Sequence, residues 1–171
     1  MGPTPNNSNV RRAVSGDEPV LRALRLEALI DAPEAFGSSY DRELARTTAD
    51  WQRWLAPGVT LILEAADIPR GLVAGAPDRE DPAIAHLLAM WVHPLLRHTG
   101  AADALVVALL AWALERGARQ MQLMVISSNE RAQRFYARHG FRPTGHQSTR
   151  ERDGAIELKM ERRLINEVGA T

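Results

Sequence analysis

The sequence predicts a mixed α/β chain of the α+β kind: one domain in which a central sheet is flanked by helices. Three observations carry this. Apolar runs of strand length, bounded by Gly, Pro and Asp, alternate with longer runs of helical period. Hairpin signals occur twice, as "ADIPR" between "VTLILEA" and "GLVAGA", and as Asp153-Gly154 near the C-terminus. Between them, a strand, a helix and a strand follow one another, an order whose right-handed crossover makes the two strands parallel.

In chain order, Val10 to Val14 predicts a short strand, and Ser15-Gly16-Asp17 supplies turn and cap residues for a helix over Glu18 to Ile30. Leu21, Leu24, Leu26 and Leu29 put an apolar face on that helix, with the arginines mostly opposite. "DAPEAFGSSYDRE" breaks it, and a more polar helix carrying Trp51 and Trp54 is expected from about Asp41 to Leu55. After the first hairpin and the charged loop "PDREDP", the nearly unbroken apolar run "AIAHLLAMWV" reads as a central strand buried on both faces. A helix from Gly100 to Arg116, with Gly117 as its C-cap, leads to the strand "RQMQLMVIS". A short helix over Asn129 to His139 and two strands, Phe141 to Ser148 and Ala155 to Arg162, complete the chain.

At 171 residues the chain suits a single core, assigned to 10–164, with a polar N-terminal tail at 1–9 and a flexible C-terminus at 165–171. Lys plus Arg and Asp plus Glu both number 21, so a broad nucleic-acid footprint is not expected and any phosphate is recognised locally. The absence of cysteine excludes disulfides, thiolate metal sites and a cysteine nucleophile, and no metal is expected. No apolar run approaches the ~20 residues of a membrane span, and "MGPTPNNSN" has no signal-peptide pattern. The expected location is cytoplasmic, without a membrane partner.

The segment "RHTGAADALVVALLAWALERG" sets a polar, glycine-bearing turn directly before a strongly apolar helix. One reading is ordinary helix-start chemistry, with Gly100 as cap and Asp103 favoured by the helix dipole. The other is an anion site, because a helix N-terminus offers unpaired N–H groups and glycine allows a phosphate to approach them.

The residues Arg97-His98-Thr99-Gly100-Ala101-Ala102 match the Gln/Arg-x-x-Gly-x-Gly/Ala turn of the GNAT superfamily of CoA-dependent N-acyltransferases. Downstream, "SSNERAQRFYARHGFRPTG" resembles the family's next signature: an Asn after the parallel strand, a helix bearing Tyr, then Gly-Phe. "LRLEALIDAPEAFGSS" resembles the first-helix segment of small members, and the likeness covers nearly the whole chain. It implies a mostly antiparallel central sheet of six to seven strands with a splayed parallel pair at the CoA site. It also implies acetyl-CoA as cosubstrate, with acetyl passing to a primary amine of a small molecule or of a protein or peptide by direct attack in a ternary complex.

Residue by residue, the resemblance implies that backbone N–H groups of Arg97 to Ala102 hold the CoA pyrophosphate, with Asp103 pointing away. Met90, Trp91 and Val92 would pair with the pantetheine arm, one N–H of that strand stabilising the developing oxyanion. Tyr136 matches the tyrosine that protonates the departing thiolate; its other reading, with Phe135, is a core aromatic. Asn129 would bond the CoA arm or cap its helix, and the two are compatible. Some members carry a basic carboxylate on the central strand, eleven residues before the turn, where this chain has His86. An imidazole suits a base or an anchor for a relay water, although a lone His in an apolar strand is also a common structural residue. Glu27 and Glu64 are the alternative carboxylates.

The acceptor is expected between "DAPEAFGSSY" and the closing hairpin, lined by Phe36 and Tyr40 with the Trp51/Trp54 helix. Its identity is not written in the sequence. A non-catalytic acyl-CoA-binding or sensor module is the alternative function. Other nucleotide-binding folds are disfavoured by the lack of a Gly-x-Gly-x-x-Gly or Walker pattern. Dimerisation through edge strands is a further expectation from the family.

Overall fold

The structure is a computed structural model that describes residues 8–164. Its strands are β1 (Ser8–Arg12), β2 (Val59–Ala65), β3 (Ile68–Pro77), β4 (Ile84–Val92), β5 (Gln120–Ile126), β6 (Arg142–Thr149) and β7 (Ile156–Arg163). They form one sheet in the order β1-β2-β3-β4-β5-β7-β6, antiparallel throughout except between β4 and β5. The helices are α1 (Glu18–Asp31), α2 (Tyr40–Leu44), α3 (Thr48–Leu55), α4 (Ala101–Glu115) and α5 (Glu130–Arg138). Ser8 and Asn9, expected in the tail, pair with Ala65 and Glu64 as the start of β1. The rest of that tail, 1–7, and the C-terminal segment 165–171 lie outside the described residues.

Two cores sandwich the sheet. On one face Leu61, Leu63, Val73, Leu87 and Met121 pack under Leu105, Val106 and Leu109 of α4. On the other, Ile62, Leu72 and Trp91 meet Leu21, Leu24, Ala28 and Leu29 of α1 and Trp51 of α3. Alternation along β2 distributes its side chains between them, so Val59 to Leu63 are all buried. Burying one Leu or Val fully contributes about 1.5–3 kcal/mol, and Leu105, Val106 and Leu109 are at 0% exposure. Packing therefore anchors α4, whose N-cap, Gly100, offers no side-chain bond. The contact is close enough that a Cβ on Gly75 would lie 2.6 Å from Leu109 Cδ1 and 2.7 Å from Trp112 Cζ3.

Three local expectations are corrected. The helix expected over Asp41 to Leu55 is two helices, α2 and α3. Thr47 starts the second through a reciprocal capping box with Asp50, which stops the first at Leu44. The arginines of α1 do not all face solvent: Arg22 is exposed, but Arg25 is buried at 6%. The central run is not covered on both faces along its length, since Leu88 is 48% exposed where β4 leaves its neighbour.

Candidate active site

β4 and β5 pair only from Ile84 with Gln120 to His86 with Gln122. Beyond these rungs they diverge, and the cause lies in β4. Leu72 faces Trp91 and Ala74 faces Leu88, so Ala89 and Met90 together oppose the single residue Val73. Ala89 has φ 52°, which is unusual for alanine and marks the extra residue of a bulge. A bulge bends and twists its strand, and here it turns β4 away from β5. The N–H of His93 donates to Arg70 O of β3 at 2.8 Å. By strand alternation Trp91 also directs its backbone groups to β3, leaving those of Met90 and Val92 aimed into the gap.

β4 then runs through a 3-10 turn, Pro94–Leu96, into the residues before α4. His98 (φ 65°) and Gly100 (φ 86°) both adopt left-handed backbone, which folds the chain into a cup of N–H groups at the helix start. Among the described residues, the N–H groups of His98 to Asp103 take part in no hydrogen bond of the turn or helix. That of Arg97 does: it donates to Pro94 O at 3.2 Å, which removes it from the expected set. The Arg97 side chain is also committed, with Nε donating to Val92 O at 3.2 Å and Nη2 to Asp31. Burial pushes the Asp31 carboxyl up, but hydrogen bonds from Trp91 and Arg97 outweigh it and hold it below its ordinary value. Asp103 points away from the turn, its Oδ1 lying 2.8 Å from His139 Nε2.

Two cavities flank the gap. One, of about 670 Å³, runs from His98 and Gly100 along α5; the other, of about 750 Å³, extends past His86 to Arg25 and Trp54. Both are lined by Ala35, Phe36, Met90, Asn129, Ala132 and Tyr136, so they meet at the mouth of the splay. Asn129 caps α5, its side chain accepting from Ala132 N at 3.0 Å, and is fixed there. Tyr136 is buried between Phe135 and Phe141, and burial alone holds its phenol well above the usual range, hence protonated.

His86 lines the larger cavity, and its Nε2 lies 2.8 Å from Asp78 Oδ2. Glu27 and Glu64 line neither cavity: the first sits 3.3 Å from His93 Nε2, and the second accepts from Arg11 Nε at 2.8 Å. Phe36 lines both cavities, whereas Tyr40 opens α2 at 37% exposure and lines neither. Trp51 belongs to the core, and Trp54 reaches the larger cavity. Thr99 turns inward on the loop, its hydroxyl donating to Leu96 O at 2.6 Å. Trp91 and Ala101 are buried, and Trp91, whose backbone faces β3 and whose Nε1 donates to Asp31 Oδ2 at 2.9 Å, drops out of the set expected to pair along the gap.

Sequence reasoning missed the basic rim of the smaller cavity. Arg131, Arg134 and Arg138 of α5 join Arg97 there, and Arg131 Nη2 donates to His98 Nε2 at 3.0 Å. Their helical spacing was available, but a run of arginines on a short helix also describes an ordinary solvated face.

The model of the acetyltransferase (GNAT) family matches residues 24–141. Uncharacterised N-acetyltransferases of Mycobacterium tuberculosis and Mycobacterium bovis are 34% identical over 119 residues, which is 70% of this chain and 75% of theirs. Among solved structures, a GNAT-family acetyltransferase of Streptococcus pneumoniae superposes with TM-score 0.78 at 19% identity, covering 93% of this chain and 100% of its own. The yncA protein of Salmonella typhimurium, solved with its cofactor acetyl-CoA, gives 0.74 at 18% identity over 96% and 98%. These structures share the fold, and the sequence match goes further: the chain belongs to the acetyltransferase (GNAT) family.

Proposed function

We propose that the protein transfers an acetyl group from acetyl-CoA to a primary amine within a ternary complex. The observation that carries this is the meeting of the two cavities at the splay, where a phosphate-suited turn opens on one side and His86 stands on the other. Acetyl-CoA, when bound, supplies the acetyl group as an activated thioester. The free N–H groups of His98 to Asp103 and the α4 dipole suit its pyrophosphate, with Arg131 and Arg134 adding positive charge. Met90 and Val92 offer backbone groups along the gap, and Asn129 flanks it.

Within this reading, Asp78 accepts a hydrogen bond from the Nε2–H of His86, which leaves Nδ1 as the free acceptor for an amine proton or for a relay water. Asp78 is thus a positioning residue. Tyr136 holds a phenolic proton where the cavities meet and is the group placed to protonate the departing sulfur. The test is calorimetric titration with acetyl-CoA, followed by thiol release across a panel of amines. Binding with amine-dependent release supports the enzyme; binding with no release from any amine favours the acyl-CoA-binding module.

A further inference from the structure

The larger cavity ends in a buried cation whose nearby carboxylate is shared and not hydrogen-bonded to it. Arg25 of α1 is 6% exposed, and its Nε and Nη1 are sealed from solvent with no hydrogen-bond acceptor among the described residues. A single carboxylate, Glu43, serves two guanidiniums: it lies 2.5 Å from Arg46 Nε and 3.9 Å from Arg25 Nε. Arg25 has the longer of the two contacts, and 3.9 Å is too long for a hydrogen bond. Burial lowers the Arg25 pKa, and Arg46 adds repulsion, which expresses the same deficit of negative charge. A buried guanidinium costs several kcal/mol unless it is paired and bonded, so the position calls for an anion.

The surroundings say what kind. The guanidinium lies 4.6 Å from the Phe36 ring centroid and 5.4 Å from that of Trp54, and both rings line the cavity with Arg25. Contact with both rings restrains the guanidinium, and its planar fork of donors matches a planar carboxylate. Ser38 Oγ, also on this wall, is buried without a partner and offers a further donor. Toward the splay the wall continues through apolar Leu87 and Met90.

We propose that Arg25 receives the carboxylate of the acceptor, so that the amine substrate is an amino acid with an apolar body. This rests on the acetyl-transfer reading, in which the same cavity holds the amine. Arg25, rather than Tyr40, is then the residue that selects the acceptor.

Calorimetry on the full chain saturated with CoA tests it, with phenylalanine, phenylalanine amide and phenethylamine as probes. Phenylalanine is expected to bind at least ~10-fold more tightly than either neutral-tailed probe, the scale of a charge-assisted hydrogen bond. Arg25→Met should abolish that preference without lowering the melting temperature, because it removes a buried charge that lacks hydrogen bonds at Nε and Nη1 while Glu43 keeps Arg46. Arg25→Lys, which keeps the charge and loses the fork, should retain part of it and covers the case in which the methionine variant fails to fold. Equal affinity of the three probes for the wild-type protein, or a preference that survives Arg25→Met, overturns the proposal. Failure of CoA itself to bind overturns the acetyl-transfer reading instead.

Discussion

His86 Nε2 and Asp78 Oδ2 stand 2.8 Å apart, joining the middle of the sheet to the loop that precedes β4. The loop is rigid at this point, because the other Asp78 oxygen accepts from Glu80 N at 2.9 Å and Asp81 N at 3.0 Å. Hydrogen bonding from His86, and then from these two N–H groups, holds the Asp78 carboxyl well below the usual carboxylate range. Asp78 therefore stays ionised wherever the enzyme would work, and it fixes the imidazole tautomer.

His86→Ala should lower kcat by about 10²–10⁴-fold, the usual contribution of a general base. Asp78→Asn should lower kcat by about 10-fold or more and leave acetyl-CoA affinity unchanged. A wild-type kcat in both variants would return the pair to a structural role.

Tyr136→Phe preserves the ring that packs between Phe135 and Phe141 while removing the proton donor. A loss of ~10²-fold or more in kcat is expected, with little change in melting temperature or acetyl-CoA affinity. Since burial raises the phenol pKa, Tyr136 should give no basic limb at or below its ordinary ~10. Wild-type turnover in this variant, under conditions where chemistry limits, would make Tyr136 a packing residue only.

Gly100 is needed for its backbone and not for space: a Cβ added there would meet no atom within 4 Å, but φ is +86°. Gly100→Val should therefore strain the turn by ~1–2 kcal/mol, misalign the N–H groups and weaken acetyl-CoA binding, while α4 stays anchored by its buried face. Unchanged affinity by calorimetry would place the pyrophosphate elsewhere.

The closing hairpin clamps the loop that carries Phe36. Arg150 Nη2 donates to Glu34 O at 2.8 Å and to Asp153 Oδ2 at 2.7 Å, and Arg152 Nη2 reaches Phe36 O at 3.1 Å. The hydrogen bond from Arg150 lowers the Asp153 carboxyl from 3.8 to about 2. A depressed carboxylate contributes stability that is complete above its unfolded pKa and disappears as pH falls through the folded one. The melting-temperature gap between the wild-type protein and Asp153→Asn should thus be constant above about pH 4 and close toward about pH 2. A gap that persists at pH 2 would mean the ion pair is not its source.

The order of strands and helices is legible because its signals are local. Apolar runs, Gly117 after α4 and Asp153-Gly154 in the last hairpin act through neighbouring residues, and the structure follows them to within a few positions. The Thr47-x-x-Asp50 cap is equally local, but its two residues are also ordinary in a polar helix, so the pattern alone does not part α2 from α3. The turn from His98 to Ala102 stands in the sequence, yet which of its N–H groups are free does not: Arg97 loses its own to a preceding 3-10 turn.

The sequence by itself determined the family, the parallel crossover and the polar turn at the head of a buried helix, since each depends on residue types at short spacing. The resemblance already implied a splayed pair, but tertiary structure alone decided which residue bends β4 and which side chains wall the larger cavity. Alanine carries no signal for positive φ, and the bulge at Ala89 goes with a β3–β4 register that places Val73 against two residues. Arg25 looks like one more arginine on an amphipathic helix, and only the packing of Phe36, Glu43 and Trp54 around it makes it a buried cation facing a cavity. Long-range packing sets which side chains lose water, and loss of water is what turns a surface charge into a binding group.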